Sequence, residues 1–146
     1  MQCYFFVPGK PRGKGRPRFF KGHAVTDVKT RDYEGMVSHK AGKEMQLLRE
    51  QFGEEFDRLK DIPCRVELQA FFLVPKSYSK VKRECALNGF IRPGKPDADN
   101  IIKAILDGMN GLVFSDDAKV YEVSCEKRYS DSIEGVQVKV YWEDKR

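Results

Sequence analysis

Several stretches of the chain alternate between apolar and polar residues, which is the two-residue period of a β-strand with one buried face. Residues 64–74, CRVELQAFFLV, carry the strongest such pattern and end in a continuous apolar run, which predicts a strand in the interior of a sheet. Residues 3–7, 120–128 and 136–142 are further predicted strands. Turn residues within 130–135 indicate that the last two strands pair as adjacent antiparallel neighbours.

Apolar residues at helical spacing occur between these strands. Residues 30–52 are predicted to form a helix with Thr30 as its N-cap, and Gly35 and Gly42 inside it favour a kink or close packing against another helix. Ser79 is the candidate cap of a short basic helix. The predicted core positions of the first helix are Tyr33, Met36 or Val37, Met45 and Leu48.

A chain of 146 residues can bury its own core, and we expect a single α+β domain, residues 1–146, with a mixed or antiparallel sheet packed against helices. Lys and Arg number 27 against 22 Asp and Glu, and the charge of +5 permits a nucleic-acid partner without requiring one. The four cysteines form no CxxC pair, so a zinc site is not expected. A leader and a long apolar stretch are both missing, which predicts a cytoplasmic protein without membrane contact.

Residues 95–120, KPDADNIIKAILDGMNGLVFSDDAKV, place an acidic motif on each side of a predicted amphipathic helix. Asp97 or Asp99 can accept hydrogen bonds from the free N–H groups at the start of this helix, and Asn110 with Gly111 would end it. The helical period puts Ile101, Ile102, Ile105, Leu106 and Met109 on one face. It puts Asp99, Asn100, Lys103, Asp107 and Asn110 on the other.

Asp97, Asp99 and Asp117 could supply the carboxylate oxygens that a hard cation such as Mg²⁺ prefers. Lys103, one helical turn after Asp99, adds a positive charge that could hold a scissile phosphate or stabilise charge developing on it. The pattern therefore predicts a metal site for phosphodiester chemistry. A simpler interpretation also stands, in which Asp97 is only a helix cap and Asp99, Lys103 and Asp107 are exposed ion pairs.

Residues 8–18, PGKPRGKGRPR, carry a positive residue at every second position. In an extended conformation these charges would lie largely on one side and could follow a phosphate backbone, although a solvated loop is the alternative. Phe19 and Phe20 then begin a predicted hairpin that turns at Lys21 and Gly22. The candidate DNA-binding residues are Lys10, Arg12, Lys14, Arg16 and Arg18, together with Arg92 and Lys95 just ahead of the first acidic motif.

Three segments occur in a characteristic order: GKPRGKGRPR, KPDADNIIKAILDGMNG and SDDAKV. On these motifs the chain resembles the RusA family of Holliday junction resolvases, over residues 4–141. The resemblance implies an endodeoxyribonuclease that depends on Mg²⁺, for which Mn²⁺ can substitute. It also implies a homodimer that binds branched double-stranded DNA and cuts four-way junctions by paired nicks, in DNA recombination and repair.

The resemblance also assigns roles by motif position. It makes Asp97, Asp99 and Asp117 the metal ligands, with Asp116 as a further candidate, and Lys103 the catalytic lysine. The role of Asp107 stays open.

Two other functions stay in view. A branched-DNA-binding module of the same fold that does not cut is disfavoured because the acid set is complete. Another magnesium-dependent phosphohydrolase, such as a haloacid dehalogenase-like phosphatase, is disfavoured because its DxD motif ends a buried strand, whereas Asp97 follows Gly94, Lys95 and Pro96.

Overall fold

Residues 1–15, 18–25 and 28–143 are described by a computed structural model of the protein. Within them the strands are β1 (Gln2–Pro8), β2 (Arg18–Phe20), β3 (His23–Val25), β4 (Cys64–Leu73), β5 (Val120–Ser130) and β6 (Gly135–Trp142). The helices are α1 (Val28–Phe52), α2 (Lys80–Leu87) and α3 (Ala98–Met109). The 3₁₀ segments Gly53–Asp61 and Asp117–Lys119 precede β4 and β5.

Four strands form one mixed sheet in the order β1, β6, β4, β5. β6 pairs antiparallel with both β1 and β4, and β5 pairs parallel with β4. This arrangement confirms the predicted α+β class and the interior position of β4. The prediction that β5 and β6 are neighbours is wrong, because β4 lies between them. The long connection through α2 and α3 returns β5 to the far side of β4 in a parallel direction, as a helical crossover does.

The core lies where α1 and α3 pack against the sheet. Alternate residues of β4 face it, as the two-residue pattern predicted, and one side of each helix completes it. Of the two alternative core positions predicted in α1, Val37 is fully buried and Met36 is only partly buried. The buried hydrophobic residues of the two helices are Tyr33, Val37, Ala41, Met45 and Leu48 of α1, and Ile101, Ala104, Ile105 and Met109 of α3.

A glycine sets the closest approach of the two helices. A Cβ atom on Gly108 would lie 2.6 Å from the Val37 Cβ, and the Ser38 hydroxyl donates a 2.6 Å hydrogen bond to the Gly108 carbonyl. The sequence predicts either a kink or close packing against another helix at Gly35 and Gly42. Among the described residues, none has an atom within 4 Å of a Cβ built at either position, apart from their own helix and chain neighbours, so the close-packing alternative is wrong.

Two capping predictions have different outcomes. Ser79 caps α2, since its hydroxyl accepts a 3.2 Å hydrogen bond from the Lys82 amide. Thr30 is not the cap of α1, because the helix already includes Val28. Thr30 is buried in the first turn, and its hydroxyl accepts a 3.1 Å hydrogen bond from the Gly15 amide.

The predicted hairpin is present as the β2–β3 pair, with Phe20 opposite His23. Over the described ranges, the longest and most apolar helical stretches fall short of what a membrane crossing requires.

Candidate functional site

The first acidic motif opens α3. The backbone carbonyl of Asp97 accepts hydrogen bonds of 3.1 Å from the amides of Asn100 and Ile101, so Asp97 occupies the cap position through its main chain. In the part of the chain that the structure describes, its carboxylate accepts no capping hydrogen bond. The predicted side-chain contact falls instead to Asp99, whose Oδ1 accepts from the Asn100 amide at 2.9 Å. The carboxylate of Asp97 therefore stays exposed for another partner.

Lys103 lies on the exposed face of α3, as its helical position predicted, and 58 % of its side chain is accessible. Its ammonium lies 3.2 Å from Asp107 Oδ1, one turn further along the helix. An exposed i, i+4 pair of this kind is worth only a few tenths of a kcal/mol, roughly 0.3–0.5. The contact holds Lys103 weakly, so it does not prevent the ammonium from meeting an incoming anion.

An open cleft of 480 Å³ joins the basic loop to the start of α3. Four cationic residues and Asp97 line this cleft. They come from two segments that are far apart in sequence, residues 10–14 and 95–100. The lining residues are Lys10, Pro11, Arg12, Gly13, Lys14, Lys95, Pro96, Asp97 and Asn100. The structure thus brings four of the predicted DNA-binding residues beside Asp97.

Close packing holds the loop in this place. The Lys14 amide donates a 3.0 Å hydrogen bond to the Asn100 carbonyl. A Cβ atom on Gly13 would lie 2.8 Å from the Asn100 Cβ and 3.0 Å from the Pro96 Cβ, so only glycine fits without displacement. Arg16 lies outside the described residues. The backbone of Arg18 lies in β2, and its side chain is not among those that the structure describes.

Lys127 of β5 anchors the segment that leads into Asp97. Its ammonium donates hydrogen bonds to the carbonyl oxygens of Gly94 and Pro96, the second at 3.2 Å. Arg92 fixes the same segment, because its guanidinium donates to the Lys127 carbonyl at 3.1 Å and lies 3.4 Å from Glu126 Oε2.

The sequence carries one signal for this role of Lys127. Lys127 is the one cation on the strand side that also carries Val123 and Cys125. A charged residue in a mostly apolar alternating set indicates a buried or semi-buried partner.

The second acidic motif precedes β5. The Asp116 carbonyl accepts a 3.0 Å hydrogen bond from the Lys119 amide, and the Ser115 amide donates at 2.9 Å to the Lys60 carbonyl, next to the start of β4. Asp116 is exposed, and Asp117 is half-buried. The main chain here is therefore well anchored, at the end of the sheet where β4 and β5 begin.

The two acidic motifs are attached to β5 at different points along the strand. The loop before Asp97 is attached at Lys127, whereas Asp117 directly precedes Val120. An extended strand covers about 23 Å between those two positions. The 12 residues of α3 run back along about 18 Å between the motifs.

No three His, Cys, Asp or Glu side chains of the described ranges come together as metal ligands, so Asp97, Asp99 and Asp117 form no such group in this chain. The predicted ligands Asp97 and Asp99 form a pair at the start of α3, whereas Asp117 opens the 3₁₀ segment before β5. The pair fits a hard cation by its chemistry, since both carboxylates are exposed at one end of a helix.

A mixed-sheet α+β protein whose acidic helix start faces a cationic cleft has the parts that enzymes acting on nucleic-acid phosphodiesters use. Residues 8–141 match the sequence model of the family described as Endodeoxyribonuclease RusA. The chain is also 31 % identical over 139 residues to the uncharacterized protein YqaN of Bacillus subtilis (strain 168), covering 90 % of this chain and 91 % of the relative. The chain belongs to the RusA endodeoxyribonuclease family, a family of hydrolases that act on branched DNA.

Proposed function

We propose that this protein is a magnesium-dependent endonuclease that resolves four-way DNA junctions by paired nicks, as a homodimer, in recombination and repair. We place it in the cytoplasm together with its DNA substrate. Family membership supports the DNA-cutting activity. The observation that carries the proposal to particular residues is the shared cleft, in which Asp97 lies beside Lys10, Arg12 and Lys95.

The cations of the cleft explain why a polyanion would approach an acidic motif. Lys10, Arg12 and Lys95 are exposed, so they can neutralise phosphates on a DNA arm and release counterions. Contacts of this kind position a duplex without reading its sequence. Arg92 extends the same positive surface from the loop ahead of Asp97. Recognition would then depend mainly on the shape of the junction.

Asp97 and Asp99 would hold the metal ion through their exposed carboxylates. When bound in such a site, Mg²⁺ supplies Lewis acidity that activates water and stabilises charge on the phosphate oxygens. The main chain of Asp97 caps α3, which fixes the position of its side chain while leaving both oxygens available. Lys103 reaches outward one turn later and would stabilise negative charge on the scissile phosphate.

We infer that the third carboxylate, Asp117, comes to this site from the partner subunit. Within one chain, Asp117 lies just before the start of β5, whereas the loop before Asp97 is attached further along the strand, at Lys127. A two-fold axis that pairs two copies of an antiparallel strand sets the beginning of one strand beside the end of the other. Pairing β5 with its copy would therefore carry Asp117 of the partner subunit towards the loop that Lys127 holds.

Among the described strands, the exposed part of β5 is an unpaired strand edge with apolar side chains, as a strand-pairing interface requires. β5 is an edge of the four-stranded sheet, and an unpaired edge is a template for another strand. Residues 121–124 are exposed, and they include Tyr121 and Val123, which are 53 % and 37 % accessible. Arg92 contacts this strand further along, at the Lys127 carbonyl. The free stretch of edge thus lies next to Asp117.

The proposal is tested by cleavage of a synthetic four-way junction in the presence of Mg²⁺. The wild-type protein should nick opposed strands, and Asp97→Asn should bind the junction but cut it at least about 100-fold more slowly. Asp57→Asn is the matched control, because Asp57 is exposed and its carboxylate pairs with Arg49, 3.7 Å away, outside the cleft. Binding by the wild-type protein without cutting would favour a DNA-binding module. Cutting by Asp97→Asn at the unmutated rate would remove Asp97 from the site.

A further inference from the structure

The ammonium of Lys14 is engaged inside the protein. It lies 2.5 Å from Glu34 Oε1 of α1 and 3.2 Å from Asp107 Oδ2 of α3. Only 22 % of the Lys14 side chain is accessible, and the two carboxylates are about as enclosed, at 21 % and 20 %. Lys14 therefore differs from Lys10 and Arg12, which are exposed on the same loop.

Asp107 is shared between two lysines. Its Oδ2 faces Lys14, and its Oδ1 lies 3.2 Å from the ammonium of Lys103. The charges of Glu34, Lys14, Asp107 and Lys103 thus alternate in sign along a row from α1 to the exposed face of α3. The electrostatic attraction between Asp107 and Lys103 therefore depends on whether Lys14 also pairs with Asp107.

We propose that Lys14 is a positioning residue for Lys103, acting through Asp107, and that it does not contact DNA phosphates. Lys14 partly neutralises the negative charge of Asp107. Asp107 therefore orients the ammonium of Lys103 but attracts it too weakly to keep it from a phosphate. This inference rests on the proposed function, because it concerns how Lys103 is made available to a scissile phosphate.

Electrostatics supports the internal role. Burial lowers the pKa of Lys14, but the hydrogen bonds and charges of Glu34 and Asp107 outweigh burial and raise it above its usual value. The ammonium is thus better satisfied where it lies than in water. Moving it to a phosphate would leave two enclosed carboxylates facing each other.

The main-chain contacts agree with this assignment. The Lys14 amide is bonded to the Asn100 carbonyl, and the next amide, of Gly15, is bonded to the Thr30 hydroxyl. A residue held on both sides by α3 and α1 has little freedom to follow a DNA backbone. The sequence pattern groups Lys14 with the DNA-binding cations because it follows the same two-residue spacing. In the structure, however, Lys14 is enclosed by two carboxylates, whereas Lys10 and Arg12 are exposed.

The first test is the salt dependence of junction binding. The slope of log K against log salt should decrease by about 1 for Lys10→Met, which loses one phosphate contact. Lys14→Met should bind with the wild-type slope. Lys14→Gln serves as a second variant if the methionine variant melts at a lower temperature. A decrease by about 1 for both Lys14 variants, as for Lys10→Met, would overturn the proposal.

The second test is single-turnover cleavage at saturating enzyme. Lys14→Met should cut roughly three- to fivefold more slowly than wild type, because the unshared Asp107 retains Lys103 more strongly than the shared one, and Lys14→Arg should restore most of the rate. In an Asp107→Asn background, the same Lys14→Met change should have less than about a twofold effect, since its route to Lys103 is gone.

These outcomes separate the inference from the proposed function. A wild-type protein that binds junctions but does not cut them overturns the function, and with it the chemical role of Lys14. A wild-type protein that cuts, combined with equal effects of Lys14→Met in both backgrounds, overturns only the inference.

Discussion

The ammonium of Lys127 donates a 3.2 Å hydrogen bond to the carbonyl oxygen of Pro96, the residue immediately before Asp97. A second hydrogen bond goes to the Gly94 carbonyl. One side chain of the sheet therefore fixes the loop that presents the first acid of the motif. This relationship makes Lys127 a structural support of the site.

Removal of this support should lower cutting more than binding. We expect Lys127→Met to reduce single-turnover junction cleavage by roughly tenfold, because a catalytic group displaced by about 1 Å can lose as much as 100-fold in rate. Junction affinity should change less than threefold, as the exposed cations of the cleft remain.

Lys139→Met is the control for Lys127→Met. It removes a lysine from β6, opposite Glu67 and Tyr4 in the sheet register and away from the loop. Its cleavage rate should match wild type. If both variants lose the same activity, the effect comes from charge in general and not from the anchoring of the loop.

Gly108→Ala should separate α1 from α3. The new Cβ would lie 2.6 Å from the Val37 Cβ, which side chains do not tolerate, and overpacking of this kind costs about 1–3 kcal/mol. We expect the free energy of unfolding in urea to decrease by that amount.

Gly35→Ala is the matched control, because Gly35 lies in the interior of α1 and is exposed. Alanine there should increase stability by up to about 1 kcal/mol through its higher helix propensity. Equal destabilisation by both alanines would contradict the packing that we assign to Gly108.

Alkaline pH should weaken the fold through its buried thiols. Burial, with a smaller contribution from the charge of Glu44, raises the pKa of Cys3 from 9.0 to about 12, and burial raises that of Cys64 from 9.0 to about 11. A raised native pKa stabilises the fold fully below the unfolded value and loses that contribution as pH rises towards the native value. Stability should therefore decrease above pH 9.0, by at most about 1.4 kcal/mol per pH unit for each thiol.

Urea unfolding followed from pH 7 to 11 measures this decrease. Cys64→Ala will be less stable at neutral pH, but its stability should decline less steeply between pH 9 and 11 than that of wild type. An unchanged slope would mean that the Cys64 thiolate forms as readily in the folded protein as in the unfolded chain.

Much of α3 was predictable from local pattern. The apolar period, the acids at its start and Asn110–Gly111 at its end are all local signals, and the helix covers Ala98–Met109 as they indicated. The interior position of β4 followed in the same way from its apolar run. The order of the strands did not follow, because alternation shows which face of a strand is buried but not which strand lies beside it.

The contacts that shape the site were beyond local pattern. Lys14 and Lys127 looked like members of basic or alternating stretches, yet their partners belong to segments distant in sequence, namely α1, α3 and the loop before Asp97. The separation of Asp97 from Asp117 has the same origin. The sequence predicts a helix between them, but it does not show where the two motifs meet the sheet. In the structure, Lys127 holds the loop before Asp97, and Asp117 lies just before Val120 at the start of β5.

The most direct test of the account is subunit complementation between Asp97→Asn and Asp117→Asn. Heterodimers that contain one copy of each variant can be isolated with two affinity tags and given a four-way junction with Mg²⁺. If Asp117 acts across the dimer, one of the two sites regains both native acids, and the heterodimer should nick one strand although each variant alone is inactive. A heterodimer as inactive as either parent would contradict the shared site.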